Sequence, residues 1–447
     1  MPPVYPFQAL QYLQGRGDAS TLIAPPYDVL DAAGKAALRS KNAHNIVAID
    51  LPHVPPRNLG PPAAYSSAAK TLCEWNANGI LNKRHQPAMF AYRQTTPAAS
   101  GPASSRCGMV VCVDTVPFGP RAGGGILPHE ETFSGPKEDR LALMKATKTQ
   151  LSPIFGLHPD EQRHATALIH SIMSARAPDM TARMDDGILH EVWTVSDNPT
   201  ITAYQAALKG QDIFIADGHH RYLTALTYLS ECHKRGDIHP TYPAHRTMMV
   251  LVGMSDPGLI IWPTHRVLGG MANYTFDAFL AAASPHMVFD PAPSDLQALD
   301  RLLDSRDTLG PLRVGLYDCA TKRAMIATPK IPDPLAARFP EKPKAWRELA
   351  VAYIQYIIVE QIAQPLLNAG APIKWAFPHT IKEVADIGAG IETGAGGGKG
   401  FAQLAIIVRP TPLEAVRDVS RANQLMPQKS TFFYPKLATG LFMHPLE

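Results

Sequence analysis

The stretch IFIADGHHRYLTAL, at positions 213–226, constrains the fold of this chain most. Residues 213–215 are apolar, which is typical of a buried strand, while Tyr222 and Leu226 recur at helical spacing. Between these two segments lies the cluster at 217–221, which contains a glycine and leaves room only for a tight turn. The stretch therefore predicts a strand, a glycine turn and a helix, and it favours a mixed α/β (α+β) fold.

The length and composition limit the number of domains and the class of protein. A chain of 447 residues is longer than a single hydrophobic core usually serves, so two or three subdomains are expected. The net charge of +3 is small for this length and gives no reason to expect a nucleic-acid or membrane-surface partner. We find no signal peptide and no apolar run long enough to span a bilayer.

The cysteines predict a cytoplasmic location. The five cysteines are odd in number and scattered, and they form no C-x-x-C pair. This pattern argues against a disulfide framework and against a thiolate zinc site, and it suits a reducing compartment.

Several other segments predict local structure. The stretches at 86–95 and 106–116 are rich in strand-forming residues and predict a long-looped hairpin. Residues 349–364 are strongly apolar and predict a buried helix. Residues 284–295 are rich in proline and polar residues and are interpreted as a linker.

The cluster at 217–221 has the chemistry of an anion site. Gly218 would let a phosphate approach the free N–H groups at the start of the helix, and Arg221 could form paired hydrogen bonds to phosphate oxygens. His219 and His220 add donors, while Asp217 could hold Mg²⁺ or orient a histidine. The alternative is that Asp217 only caps the helix and that the histidines are structural. Five polar residues at one turn favour the anion site.

The stretch LPHEETFSGPKEDR, at 127–140, concentrates charged groups that include His129, Glu130, Glu131 and Lys137. A carboxylate beside phosphate-binding groups can remove the proton of a hydroxyl that attacks phosphorus. Taken alone, this stretch is better interpreted as an ordinary charged loop and the solvated first turn of a helix than as a catalytic site.

Three further segments leave their roles open. GAGGGKG, which ends at Gly400, does not have the spacing of a P-loop and is interpreted as a flexible loop. THRVL places Arg266 at the end of a strand, and MPQKSTFFYPK carries Lys429 and Lys436. Both segments could bind an anion or be purely structural.

Taken in order, the motifs of this chain resemble a known family. PFQAL, APPYDVL, LPHEETFSGPKEDRLALMKATKTQLSPIF, ADGHHRYLTAL, THRVL and MPQKSTFFYPKLATGL resemble the bacterial and archaeal family catalogued as domain of unknown function 1015. The resemblance covers nearly the whole chain, and the family name implies no reaction.

A more distant resemblance does imply a reaction. D-G-H-H-R between a strand and a helix is similar to the corresponding turn of free serine kinases in the ParB/sulfiredoxin-like superfamily, which bind nucleotide phosphates there. Those kinases also carry an earlier P-H-E stretch whose glutamate is the base, and Pro128-His129-Glu130 matches it in order and type. The segment between the two motifs is much longer here than in those kinases.

The resemblance implies a function and the roles of some of the site residues. It implies a kinase that uses ATP or ADP with Mg²⁺ to phosphorylate a hydroxyl, with free L-serine as the expected acceptor. It implies that Glu130 is the base and that Gly218, His219, His220 and Arg221 surround the phosphates, while the substrate pocket does not transfer residue by residue. From the residues themselves we add catalytic roles for Asp217 and His220, nucleotide binding for Lys137, substrate binding for His129, Glu131 and Arg266, and metal binding for Asp217. The alternative is a nucleotide-binding switch protein of ParB type that transfers no phosphate.

The resemblance also implies a domain plan. We expect a ParB/sulfiredoxin-like catalytic core at 121–240, an N-terminal α/β region at 1–120, and a C-terminal α/β region at 241–447 that packs on the core.

Overall fold

The structure is a computed structural model that describes residues 2–13, 18–55, 58–97, 104–131, 134–236, 238–305, 312–392 and 398–447. Within those ranges, no helix combines the length and the apolar character needed to cross a membrane. Part of the glycine-rich segment that ends at Gly400 lies outside the described residues.

Strands and helices alternate through the chain, which confirms the prediction of a mixed α/β fold. The strands are β1 (Val4–Tyr5), β2 (Leu10–Tyr12), β3 (Leu81–Lys83), β4 (Met89–Thr95), β5 (Ser105–Asp114), β6 (Ile126–Leu127), β7 (Thr149–Gln150), β8 (Ile154–His158), β9 (Met180–Arg183), β10 (Leu189–Val195), β11 (Ile213–Asp217), β12 (Arg246–Gly253), β13 (Ile260–Trp262), β14 (Arg266–Gly269), β15 (Met287–Ala292), β16 (Val314–Asp318), β17 (Ala324–Pro329), β18 (Lys374–Ala376), β19 (Ala402–Ile407), β20 (Phe432–Tyr434) and β21 (His444–Pro445).

The α-helices vary from single turns to five turns. They are α1 (Ala32–Lys41), α2 (Val47–Asp50), α3 (Pro62–Ala77), α4 (Ser134–Thr147), α5 (His164–Ala175), α6 (Asn198–Ala207), α7 (His219–Arg235), α8 (Phe276–Ala283), α9 (Leu296–Ser305), α10 (Lys344–Arg347), α11 (Ala350–Tyr353), α12 (Gln364–Leu367), α13 (Ile381–Gly388) and α14 (Leu413–Arg421). A π-helix, Ile354–Ala363, connects α11 to α12, so the predicted apolar helix at 349–364 is confirmed but has a wider turn in its middle.

The described chain divides into two units. Unit 1 comprises Met1–Pro128, Thr132–Ile260 and Pro435–Glu447, and unit 2 comprises His129–Glu131 and Ile261–Tyr434. The three regions expected at 1–120, 121–240 and 241–447 stay a prediction.

Unit 1 is built on a mixed sheet of nine described strands. Their order is β6-β11-β8-β12-β5-β4-β10-β9, with β1 beside β5. β6 is parallel to β11, and β8 is parallel to β12, whereas β8 and β11 are antiparallel. The predicted hairpin is confirmed by the antiparallel pairing of β4 and β5. The central strands are apolar on both faces because helices cover the sheet, and the resulting core includes Met109, Ile154, Ile213, Tyr222 and Leu251.

Unit 2 contains a smaller antiparallel sheet. Its order is β15-β17-β16-β19-β14-β18. The interpretation of residues 284–295 as a linker is wrong, since Met287–Ala292 form β15 and pair with β17 along its length. β15 is an edge strand with mostly exposed residues, where Pro291 is tolerated because one side of an edge strand needs no ladder hydrogen bond.

A buried histidine makes the stability of unit 1 depend on pH. The ring of His190 on β10 stacks on Tyr92 of β4, and its Nδ1 lies 2.6 Å from the Tyr92 hydroxyl. Its Nε2 has no hydrogen-bond partner among the described residues. Burial, and secondarily the charge of Arg106, lowers the pKa of His190 to about 3.

We expect acid to destabilise the protein through His190. The unfolded chain binds a proton near pH 6.5 and the folded chain only near pH 3, so stability from this group is present above pH 6.5 and is lost as the pH falls. Denaturant unfolding measures the free energy of unfolding at pH 7 and at pH 5. Between these pH values, this free energy should fall by roughly 2 kcal/mol less in His190→Gln than in the parent protein. His164→Gln, at an exposed position, serves as the control. An unchanged pH dependence in His190→Gln would contradict this account.

Candidate functional site

The strand–turn–helix unit predicted at 213–226 is confirmed. β11 ends at Asp217, α7 begins at His219, and Gly218 between them adopts the left-handed conformation, with φ 96° and ψ 26°. Gly218, the residue before α7, has no side chain that could cap the helix. The turn thus has the backbone geometry of an anion-binding helix start.

Gly218 brings the turn close to Arg221. A Cβ atom at position 218 would lie 3.0 Å from Nε and 3.1 Å from Nη2 of Arg221. The guanidinium donates through Nη2 to Asp217 Oδ2 at 3.1 Å and through Nη1 to the carbonyl oxygen of Pro153. Arg221 is thereby fixed against the turn, with its side chain 13% exposed.

Asp217 has cations on more than one side. Lys436 places its Nζ 3.8 Å from Asp217 Oδ1, opposite the oxygen that pairs with Arg221. Arg106 is buried, and burial lowers its pKa to about 10, while the charge of Asp217 is among those that act in the opposite direction. Two cations therefore lie at this carboxylate and the charge of a third acts on it, an arrangement that favours an added anion.

The remaining predicted nucleotide ligands are placed less directly. His219 is 8% exposed, His220 is half-buried at the start of α7, and Lys137 is half-buried on α4. The roles assigned to these three residues stay predictions.

Parallel pairing makes β6 and β11, the strands that precede the two motifs, end at one edge of the sheet of unit 1. β6 runs parallel to β11, with Leu127 opposite Phe214. The carboxyl ends of parallel neighbours lie at the same edge, so the chain that continues to Pro128 and the chain that continues to Gly218 leave the sheet together. This pairing could not be predicted from the sequence, because β6 is only two residues long.

In unit 2, Glu130 is held by the MPQKS segment. Its Oε1 accepts a hydrogen bond from the Lys429 backbone N–H at 2.9 Å. The backbone carbonyl of His129 accepts from Met426 N–H at 2.7 Å, and His129 Nε2 lies 2.8 Å from the Thr431 hydroxyl. His129 is fully buried, a position that suits support of Glu130; its role as a substrate ligand stays a prediction.

Arg266 is linked to Glu130 through the same residue, Lys429. It donates through Nη2 to the Lys429 carbonyl oxygen at 2.9 Å and through Nη1 to Thr264 O at 2.5 Å. Burial lowers the pKa of Arg266 to about 10, and the nearby Glu130 carboxylate partly offsets this effect. The PHE, THRVL and MPQKS segments, distant in sequence, are therefore neighbours within unit 2.

A cavity of about 660 Å³ opens within unit 2. Glu131, Arg266 and Lys374 provide its charged groups, and the π-helix contributes Gln355, Tyr356 and Val359. Trp375 and Phe377 add aromatic surface. The volume and the combination of aromatic walls with a few charges are typical of small-molecule sites. Two of the three predicted substrate residues line this cavity.

Comparison with known proteins finds one family. The model of the family described as protein of unknown function DUF1015 matches residues 4–351. No curated protein matches the chain.

Solved structures show only low similarity. A free serine kinase in complex with AMP aligns with a TM-score of 0.32 and 11% identity, covering 73% of this chain and 95% of the kinase. A conserved hypothetical protein from Pyrococcus furiosus gives 0.31 and 12%, covering 73% and 98%. SbnI with a C-terminal truncation, from Staphylococcus aureus, gives 0.32 and 10%, covering 75% and 87%. Similarity at this level establishes neither a shared fold nor a shared activity.

We expect Gly218→Ala to destabilise the protein more than Gly210→Ala. Both glycines have positive φ values, 96° and 80°, but a Cβ at Gly210 would meet nothing within 4 Å. Backbone strain should cost about 1 kcal/mol at either position, and displacement of Arg221 should add about 1 kcal/mol at position 218 only. Denaturant unfolding of the two variants measures the difference. Equal decreases in the free energy of unfolding would show that the position of the Arg221 side chain does not depend on Gly218.

Proposed function

This chain belongs to the DUF1015 family of proteins of unknown function, and we propose that it is a small-molecule kinase. It transfers a phosphate from ATP or ADP to a hydroxyl group, and free L-serine is the expected acceptor. The observation that carries this proposal is the parallel pairing of β6 with β11, which makes the segments that bear the PHE and DGHHR motifs leave one edge of one sheet.

We propose that the turn at 217–221 binds the phosphates of the nucleotide. The N–H groups at the start of α7 donate to phosphate oxygens, and Arg221 and Lys436 neutralise their charge. The excess of cations over the single Asp217 carboxylate supports this role. Phosphoryl transfer depends mainly on positioning and on charge neutralisation, which such a turn can supply.

Glu130 acts as the base in the proposed reaction. The acceptor hydroxyl gives its proton to the Glu130 carboxylate while its oxygen forms a bond to phosphorus, and the bond from that phosphorus to the bridging oxygen of the nucleotide breaks. The Lys429 N–H orients the carboxylate through its Oε1 atom. The buried His129 holds the backbone that carries Glu130.

Mg²⁺ enters the proposed reaction with the nucleotide, as part of the substrate. Magnesium is usually bound by one or two carboxylates together with substrate phosphates. Asp217 is already shared between Arg221 and Lys436, so by itself it is a weak site for a resident ion. We propose that Asp217 contacts the metal only when phosphates have taken over these cations.

The cavity of unit 2 supports a small-molecule acceptor. Arg266 and Lys374 suit a carboxylate or another anionic group, and Glu131 suits an amine, which are the charges of a free amino acid. The volume of about 660 Å³ is larger than serine requires, so larger hydroxyl compounds belong in the same assay. The ParB/sulfiredoxin-like relationship of the core, the cytoplasmic location and the lack of nucleic-acid and membrane partners are parts of this proposal.

A turnover assay tests the proposal directly. We expect protein incubated with ATP or ADP, Mg²⁺ and serine to form O-phosphoserine, and we expect Glu130→Gln to lower the rate about 10²–10⁴-fold because the base is lost. Glu138→Gln, an exposed residue of α4, is the matched control and should keep the parent rate.

Two outcomes of this assay would contradict the proposal. If no acceptor in the panel is phosphorylated while CTP or ATP binds in calorimetry, the protein is a nucleotide-dependent switch and no kinase. If Glu130→Gln and Glu138→Gln behave alike, Glu130 is not the base.

We expect Lys436→Gln to weaken nucleotide binding about tenfold. The substitution removes a cation 3.8 Å from Asp217 while keeping most of the side-chain length. Lys234→Gln, at an exposed position near the end of the same α7 helix, should leave the affinity unchanged. Isothermal calorimetry with ATP or ADP measures both variants, and equal affinities would remove Lys436 from the phosphate site.

A further inference from the structure

A cysteine, a histidine and an aspartate converge in unit 1, outside the turn at 217–221. One ligand atom from each of Cys107, His170 and Asp256 lies within 4.8 Å of the other two. Cys107 lies on β5, His170 on α5, and Asp256 in the turn after β12. The cysteine spacing argued against a thiolate zinc site, and it could not show that a cysteine, a histidine and an aspartate so distant in the chain would meet.

The three residues are held in place by other contacts of the fold. Asp256 Oδ2 accepts from the Cys107 backbone N–H at 3.2 Å, and Oδ1 accepts from Gly258 N–H at 2.9 Å. Gly258 permits this approach, since a Cβ there would lie 2.1 Å from the carbonyl oxygen of Ser105. The carboxylate is therefore oriented before any ligand arrives, as outer hydrogen bonds orient the ligands of metal sites.

His170 is joined to the same region through the start of α5. Asp160 accepts from the Thr166 N–H at 2.9 Å at the beginning of this helix. The Asp160 carbonyl in turn accepts from the Ser255 hydroxyl at 3.1 Å, next to Asp256 in the turn. The helix that carries His170 is thus tied to the turn that carries Asp256.

We propose that Cys107, His170 and Asp256 bind one thiophilic divalent cation of the zinc class. Thiolate, imidazole and carboxylate are the ligands of zinc, and a thiolate disfavours Mg²⁺ and Ca²⁺. Each Asp256 oxygen accepts one backbone hydrogen bond and keeps a lone pair for the metal. The thiol releases its proton when its sulfur binds the metal.

The burial of the three residues defines how the metal enters. Cys107 and Asp256 are 7% and 5% exposed, whereas His170 is exposed on the surface of α5. A cation therefore arrives past His170 and keeps its fourth position toward solvent, where water completes a tetrahedral shell. Bound metal would link β5, α5 and the turn after β12. The proposal does not rest on the kinase activity.

Cobalt binding tests the site because a cysteine–cobalt bond has its own absorption. Full-length protein without a histidine tag, stripped with a chelator, should bind one equivalent of Co²⁺ with a sulfur-to-cobalt charge-transfer band, and Zn²⁺ should displace it. We expect Cys107→Ser to lose the band and His170→Ala to weaken Co²⁺ binding at least about tenfold. Two variants serve as controls and should bind Co²⁺ as the parent protein does. Cys73→Ser changes an exposed cysteine, and His164→Ala changes an exposed histidine on α5, the helix that carries His170.

Thermal unfolding gives a second readout. Zn²⁺ should raise the Tm of the parent protein and of His164→Ala but not that of His170→Ala, which removes only an exposed side chain. The absence of a charge-transfer band in the parent protein, or equal Co²⁺ affinity of His170→Ala and His164→Ala, would overturn the proposal. If Cys107→Ser does not fold, the comparison of the two histidine variants still decides.

Discussion

The pairing of β11 with β6 on one side and β8 on the other is the constraint on which unit 1 depends. β11 is buried along its apolar residues, and its neighbours run in opposite directions, so it can take only one register. This register places Asp217 at the end of the strand and Gly218 at the first point where the chain can turn into α7. The geometry of the turn follows from the sheet and from a single left-handed residue.

The charged groups at this turn favour the binding of an anion. Arg106 is kept charged inside the protein although burial disfavours its cation, and Arg221 and Lys436 face the same carboxylate. If Asp217 only capped the helix, the cations Arg106, Arg221 and Lys436 would not be required near it. An incoming anion replaces part of the hydration that these groups lose on folding. The same reasoning applies to Arg266 in unit 2, which is buried and bonded to two carbonyl oxygens.

The sequence predicted the parts of the structure that are encoded locally. The strand–turn–helix at 213–226, the hairpin of β4 and β5, and the apolar helix at 349–364 follow from periodicity and from glycine. β15 was interpreted as a linker because its prolines and polar residues are those of an edge strand as well as of a loop. The sequence could not predict that Arg106 acts at this site, since one arginine at the start of an apolar strand gives no signal by itself. Glu131 and Arg266 were expected near a substrate, but the cavity that they line depends on a π-helix that periodicity does not distinguish from an α-helix.

The parallel neighbours β6 and β11 also bring two points that are distant in the sequence to adjacent positions. The chain leaves β6 after Leu127 and reaches the adjacent strand β11 at Ile213, after it has contributed β8, β9 and β10 to the same sheet. The two ends of the segment between Leu127 and Ile213 therefore lie side by side. A long segment between two motifs therefore does not prevent the strands that precede them from being neighbours, and the number of residues between the motifs is a poor guide to the distance between those strands.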